Sequence, residues 1–164
     1  MGRTRHDGRV LGNSRSHQVA AKPAYRPRRP FWTVEGVGSE AWNRLDLGAV
    51  GLLMRFYAKF NGYNRGNLSV TYRELKHHVS SLVFTRWIWQ LIGYGFLDVK
   101  RWGRLERNCS IYALSDRWRR LSEDPGTLDR IGSMLDAIEK LKREPRRPGK
   151  RDEIRALRHQ IVDM

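Results

Sequence analysis

The chain has 164 residues, room for one ordinary domain with tails, and its 40% apolar and 10% aromatic residues suffice for a buried core. Its 32 Lys and Arg against 17 Asp and Glu give a formal net charge of +15, which points to polyanionic partners, nucleic acid ahead of an anionic membrane surface. One cysteine, Cys109, excludes an internal disulfide framework and a multi-cysteine zinc site and suits a reducing compartment.

The charge is unevenly spread: residues 1–30 carry +7, residues 31–120 another +7, and residues 121–164 only +1. The first thirty residues have no spaced apolar pattern, no secretory apolar stretch and no amphipathic transit stripe, and they end in Pro23, Pro27 and Pro30. They read as a flexible basic arm, with Arg26, Arg28 and Arg29 meeting phosphates. No apolar run approaches the roughly 18 residues that cross a bilayer, so no membrane contact is expected. The expected location is the cytoplasm, at the nucleoid.

Residues 31–120 read as one domain. Ser39 is placed to cap a short helix over Glu40 to Leu45, and Asp46 a second one running to about Phe60. Val50, Leu53, Met54, Tyr57 and Phe60 recur at three- and four-residue steps and mark its buried face, and Asn61-Gly62 ends it. Leu68-Ser69-Val70 is long enough only for a small strand or an extended lead-in. Thr71, with Glu74 as reciprocal partner, caps a helix over about Tyr72 to Val79. Ser80 opens the next helix, Ser81 to about Tyr94, whose inward set is Phe84, Trp87 or Ile88, and Leu91; Gly95 terminates it. The period then changes, and Phe96 to Arg101 and Ser110 to Leu114 read as two strands around a basic turn with Arg104 and Arg107. This order, helices then a hairpin with a charged tip, is that of a winged helix-turn-helix, an α+β fold.

The stretch from Gly62 to Trp118 resembles small bacterial winged-helix proteins of phages, plasmids and integrative elements. The matching residues are Gly66-Asn67-Leu68-Ser69, Ser80, Leu91, Gly95-Phe96-Leu97 and Tyr112-Ala113-Leu114-Ser115, with Trp118 beyond. The resemblance covers about residues 31–120. It departs in the second helix of the motif, often Thr- and Ala-rich in the family, which here carries Leu82, Phe84, Trp87, Ile88 and Trp89. The resemblance implies transcription regulators or the amino-terminal domains of replication initiators.

A recognition helix enters the major groove of duplex DNA with its polar face. On Ser81 to Tyr94 that face holds Ser81, Thr85, Arg86, Trp89 and Gln90. Arg86 is suited to guanine and Gln90 to adenine, with Ser81 and Thr85 on phosphate or a thymine methyl. Arg73 and Lys76 become phosphate clamps, while Lys100, Arg101, Arg104 and Arg107 place the hairpin on the backbone or minor groove. Trp42 and Trp118 suit the core. Trp89 and Trp102 are expected to project, Trp89 toward an interface or the core rather than an unpaired base.

Enzyme chemistry finds little support. His77 and His78 are adjacent and face different ways, Cys109 lacks a catalytic signature, and no phosphate-loop or dinucleotide glycine pattern occurs. No cofactor and no metal are expected. In residues 121–164, Leu128, Ile131, Leu135 and Ile138 form a 3-4-3 stripe, broken by Pro145 and Pro148 and taken up again by Ile154, Leu157 and Ile161. The stripe suits a homodimer or another protein partner, or packing on its own domain. The expectation is a non-enzymatic, double-stranded DNA-binding protein, a transcription regulator of a bacterial mobile element. The alternatives are a replication-initiation or partition DNA-binding protein, or a protein-interaction adaptor on the same fold.

Overall fold

The computed structural model describes residues 34–103 and 109–164. The arm with Arg26, Arg28 and Arg29, and the hairpin tip with Arg104 and Arg107, lie outside the described residues. The fold is mixed α+β. Its elements are α1 (Val34–Val37), α2 (Glu40–Asn43), α3 (Leu47–Lys59), α4 (Tyr72–Leu75), α5 (Ser81–Gly93), β1 (Leu97–Arg101), β2 (Ile111–Leu114), α6 (Arg117–Ser122), α7 (Pro125–Arg143) and α8 (Lys150–Asp163).

Local chemistry sets most of the boundaries. The Ser39 hydroxyl accepts from Trp42 N at the start of α2, and the Ser80 hydroxyl accepts from Val83 N at the start of α5. At α4, Thr71 N donates to Glu74 Oε1 at 2.8 Å, the reciprocal half of the expected cap. Helix α4 is shorter than the sequence implies, because the Leu75 carbonyl takes both His78 N and Val79 N and tightens the chain into a turn. Gly95 follows α5 at φ +79°, and a Cβ there would stand 2.6 Å from Trp118 N, so this turn needs both the left-handed backbone and the missing side chain.

Strands β1 and β2 pair antiparallel, Leu97 opposite Leu114, with an irregularity between Val99 and Arg101. Leu68 adds a bridge to Tyr112, with Leu68 N donating to the Tyr112 carbonyl at 3.0 Å and Tyr112 N returning the bond at 2.8 Å. The segment before α4 is thereby fastened to the far strand of the hairpin.

The core runs through the chain from Ala41 to Ile161. Helix α3 buries Ala49, Leu52, Leu53 and Phe56, while Met54 is exposed and Val50, Tyr57 and Phe60 are half-buried. The face is rotated from the expected one because this helix is apolar enough to offer two overlapping stripes. Helix α5 is buried on several sides: Ile88, Trp89, Gln90, Leu91 and Ile92 are all inside. Trp87 lies where a side chain at Gly48 would be, which lets α3 and α5 approach closely. Trp118 is buried and stacks on Phe96 at 6.0 Å; Trp42 is half-buried.

The carboxy-terminal helices pack on the rest of the chain. Across residue 120, α6, α7 and α8 contribute to the same core as the preceding elements. Ala41 N donates to Ser122 Oγ, Arg44 pairs with Asp129, and Leu128, Ile131, Ile138 and Ile161 are buried to 2% exposure or less. The stripe expected to serve a homodimer is therefore used inside the chain. Leu128, Ile131 and Ile138 are buried and Leu135 is half-buried; at Gly93 of α5 a Cβ would meet Ile131 at 2.9 Å and Ile161 at 3.2 Å. Burying this stripe on α5 removes its apolar surface from water, which is what a partner subunit would otherwise do.

Candidate nucleic-acid interface

Two regions carry groups suited to nucleic acid. The first comprises the turn between α4 and α5 and the hairpin, to which the lead-in to α4 is bridged at Leu68–Tyr112. Arg73 and Lys76 are three residues apart, on one side of the α4 turn, and both are exposed, as are His77 and His78. Lys100 and Arg101 are exposed at the end of β1. None of these four Arg and Lys side chains has a carboxylate partner among the described residues.

The polar face of α5 is a different matter. Ser81 is exposed, but the Thr85 hydroxyl donates to the Ser81 carbonyl at 2.7 Å. Arg86 Nε lies 3.1 Å from Asp46 and its Nη1 lies 3.4 Å from Glu139, so the guanidinium bridges α3 and α7. Gln90 is 7% exposed and its Oε1 accepts from Asp46 N at 3.3 Å. Arg86 and Gln90, expected to read bases, are engaged with groups of the chain itself. Their polar ends are used to close α5 against the start of α3, and α7 covers that side. What α5 leaves outside is its first turn, where Leu82 is 51% and Val83 36% exposed.

The second surface is a cleft of about 540 Å³ between α5, the end of β1 and α8, lined by Trp89, Trp102, Arg155, Arg158, His159 and Val162. Trp89 is buried and stacks on Trp102 with ring centres 5.4 Å apart and planes 24° from parallel. The Arg158 guanidinium stands 4.8 Å over the Trp89 ring. Burial pulls this guanidinium below its ordinary range, and its Nε is enclosed without a hydrogen-bond acceptor among the described residues. Nearby, burial and then the Arg158 charge lower the Lys142 ammonium, with Glu139 working the other way. Among the described residues no carboxylate lines the cleft.

Sequence reasoning singled out the two tryptophans but not the cations that face them. Arg155, Arg158, His159 and Val162 recur at three, one and three residues, one face of α8, and that spacing was the available signal. Its partner surface, Trp89 and Trp102, lies far earlier in the chain, beyond the reach of local periodicity. Cys109 is exposed. Among the described residues no helix is long and apolar enough to cross a membrane, and no three His, Cys, Asp or Glu side chains gather as a metal cluster. Compared with known proteins, the chain matches no family model, no curated protein and no solved structure.

Proposed function

We propose that this chain is a duplex-DNA-binding protein of the winged helix-turn-helix type. It holds the phosphate backbone with Arg73 and Lys76 at the turn and with Lys100 and Arg101 on the hairpin. The observation that carries the reading is the Leu68–Tyr112 bridge, which ties the lead-in to α4 directly to the hairpin, so that both cation pairs belong to one unit. The order of helix α3, a bridged lead-in at Leu68, helix α4, turn, helix α5 and hairpin supports the same reading. The net charge of +15 supplies the long-range attraction.

With Arg86 and Gln90 engaged inside the chain, binding rests on phosphate contacts, which set affinity and register, rather than on base reading by α5. The resemblance of this segment to proteins of phages and plasmids extends the proposal to control of transcription, or of replication initiation, on a mobile element.

The test is fluorescence anisotropy of the full chain with a labelled duplex of about 20 base pairs over about 50–200 mM salt. Changing Arg73, Lys76, Lys100 and Arg101 together to Ala should weaken binding strongly. It should also flatten the salt dependence by about 0.9 log unit per log unit of salt for each phosphate no longer neutralised. Equal affinity and slope in the variant would refute the proposed face.

A further inference from the structure

The cleft between α5 and α8 has the makings of a ligand site of defined chemistry. Trp102 rests one face on Trp89 and is still 45% exposed, unusual for so large a ring and placed to accept a second planar group. Around it stand Arg155, Arg158 and His159, with no carboxylate among the described lining residues. Among those residues Arg155 has a single weak partner, Asp152 at 3.4 Å, and both are more than 70% exposed. Arg158 keeps an enclosed Nε donor without an acceptor. A flat aromatic platform beside available guanidinium groups matches a heteroaromatic base joined to a phosphate. The volume, about 540 Å³, is in the range of small-ligand clefts.

We propose that the cleft binds an unpaired nucleotide of a single nucleic-acid strand, with its base stacked on Trp102 and its phosphate held by Arg155 and Arg158. A strand, not a free nucleotide, is the occupant because the cations continue outward. Lys100 and Arg101, the last two residues of β1, directly precede Trp102 in the chain and are exposed. This site shares Lys100 and Arg101 with the proposed duplex face and goes beyond it through Trp102 and α8, which take no part in that face.

The experiment titrates the full chain with a labelled oligothymidylate of about eight nucleotides and with an abasic oligomer of the same length. Trp102→Ala should weaken the oligothymidylate about tenfold or more, Trp102→Phe should retain most of the affinity, and the abasic oligomer should bind the wild type as poorly as the oligothymidylate binds W102A. Arg155→Ala, a change at an exposed side chain, should weaken both oligomers.

Unchanged affinity in W102A overturns the proposal, as does an abasic oligomer that binds as well as oligothymidylate. Thymidine monophosphate that saturates the cleft as tightly as the oligomer overturns the choice of a strand. The duplex reading fails separately. Arg73→Ala with Lys76→Ala should lose duplex affinity and keep the oligothymidylate, and a wild type that binds only the single strand refutes the duplex face while upholding the cleft.

Discussion

Arg86 on α5 and Asp46 at the start of α3 form an ion pair at 3.1 Å, and the same Asp46 donates its backbone N–H to Gln90 one turn further along α5. Asp46 stands at the amino-terminal cap of α3, yet its carboxylate makes no capping hydrogen bond there and is turned to Arg86 instead. The two side chains best suited to read bases are thus fasteners between helices.

Arg86→Ala should therefore leave duplex affinity within about twofold and cost about 0.5–1 kcal/mol of stability, the range for a pair that is partly exposed. Anisotropy and urea unfolding of the same variant check both halves. A tenfold loss of duplex affinity without a change in stability would return Arg86 to the groove.

Ile131→Ala should destabilise the fold by about 2–5 kcal/mol, because the side chain is fully buried against α5. The urea midpoint of both proteins should not depend on protein concentration, since the stripe is covered by the chain itself. A midpoint that rises with concentration would point to assembly through α7.

Gly95→Ala should cost about 1–3 kcal/mol, because a side chain at φ +79° is strained and its Cβ would press on the backbone of α6. Thermal unfolding should report the loss while the far-ultraviolet spectrum keeps its helical shape.

At the Glu74 carboxyl, burial acts upward, but the bonds from Lys59 and Thr71 outweigh it and hold the group below the ordinary range. A carboxyl lowered in the folded state stabilises the fold above its unfolded value, roughly pH 4.3, and that gain disappears as pH falls through the folded value. Lys59 Nζ lies 2.6 Å from this carboxylate. Glu74→Gln keeps an acceptor for Thr71 and loses the ion pair. Its stability deficit, about 0.5–1 kcal/mol at neutral pH, should vanish in acid below the folded value. A deficit constant across that range would show that the ion pair contributes nothing.

Much of the local structure was legible because it is written in short-range chemistry. Ser39, Ser80 and the Thr71–Glu74 pair mark helix starts, Gly95 marks an end, and the change of period after Gly95 marks the hairpin. The face of α3 was not, because Gly48 to Phe60 offers two apolar stripes one residue apart and only its neighbours choose between them. The fate of the α5 polar side chains was hidden for a related reason. Gln90 and Arg86 look like surface residues until α3 and α7 arrive, and nothing within thirteen residues of helix states that they will. The 3-4-3 stripe of α7 fits a partner helix and a self-packed helix equally well, and the missing side chain at Gly93 decided it by giving Ile131 room.

The burial of α5 has a temporal side. Its mid-helix tryptophan is shielded by Trp102 and Arg158, and its last turn lies beneath Ile131 and Ile161. During synthesis this apolar rod emerges well before α8 exists to cover it. Until α8 has been made, the nascent chain thus carries a sticky, unfinished centre of the kind chaperones hold.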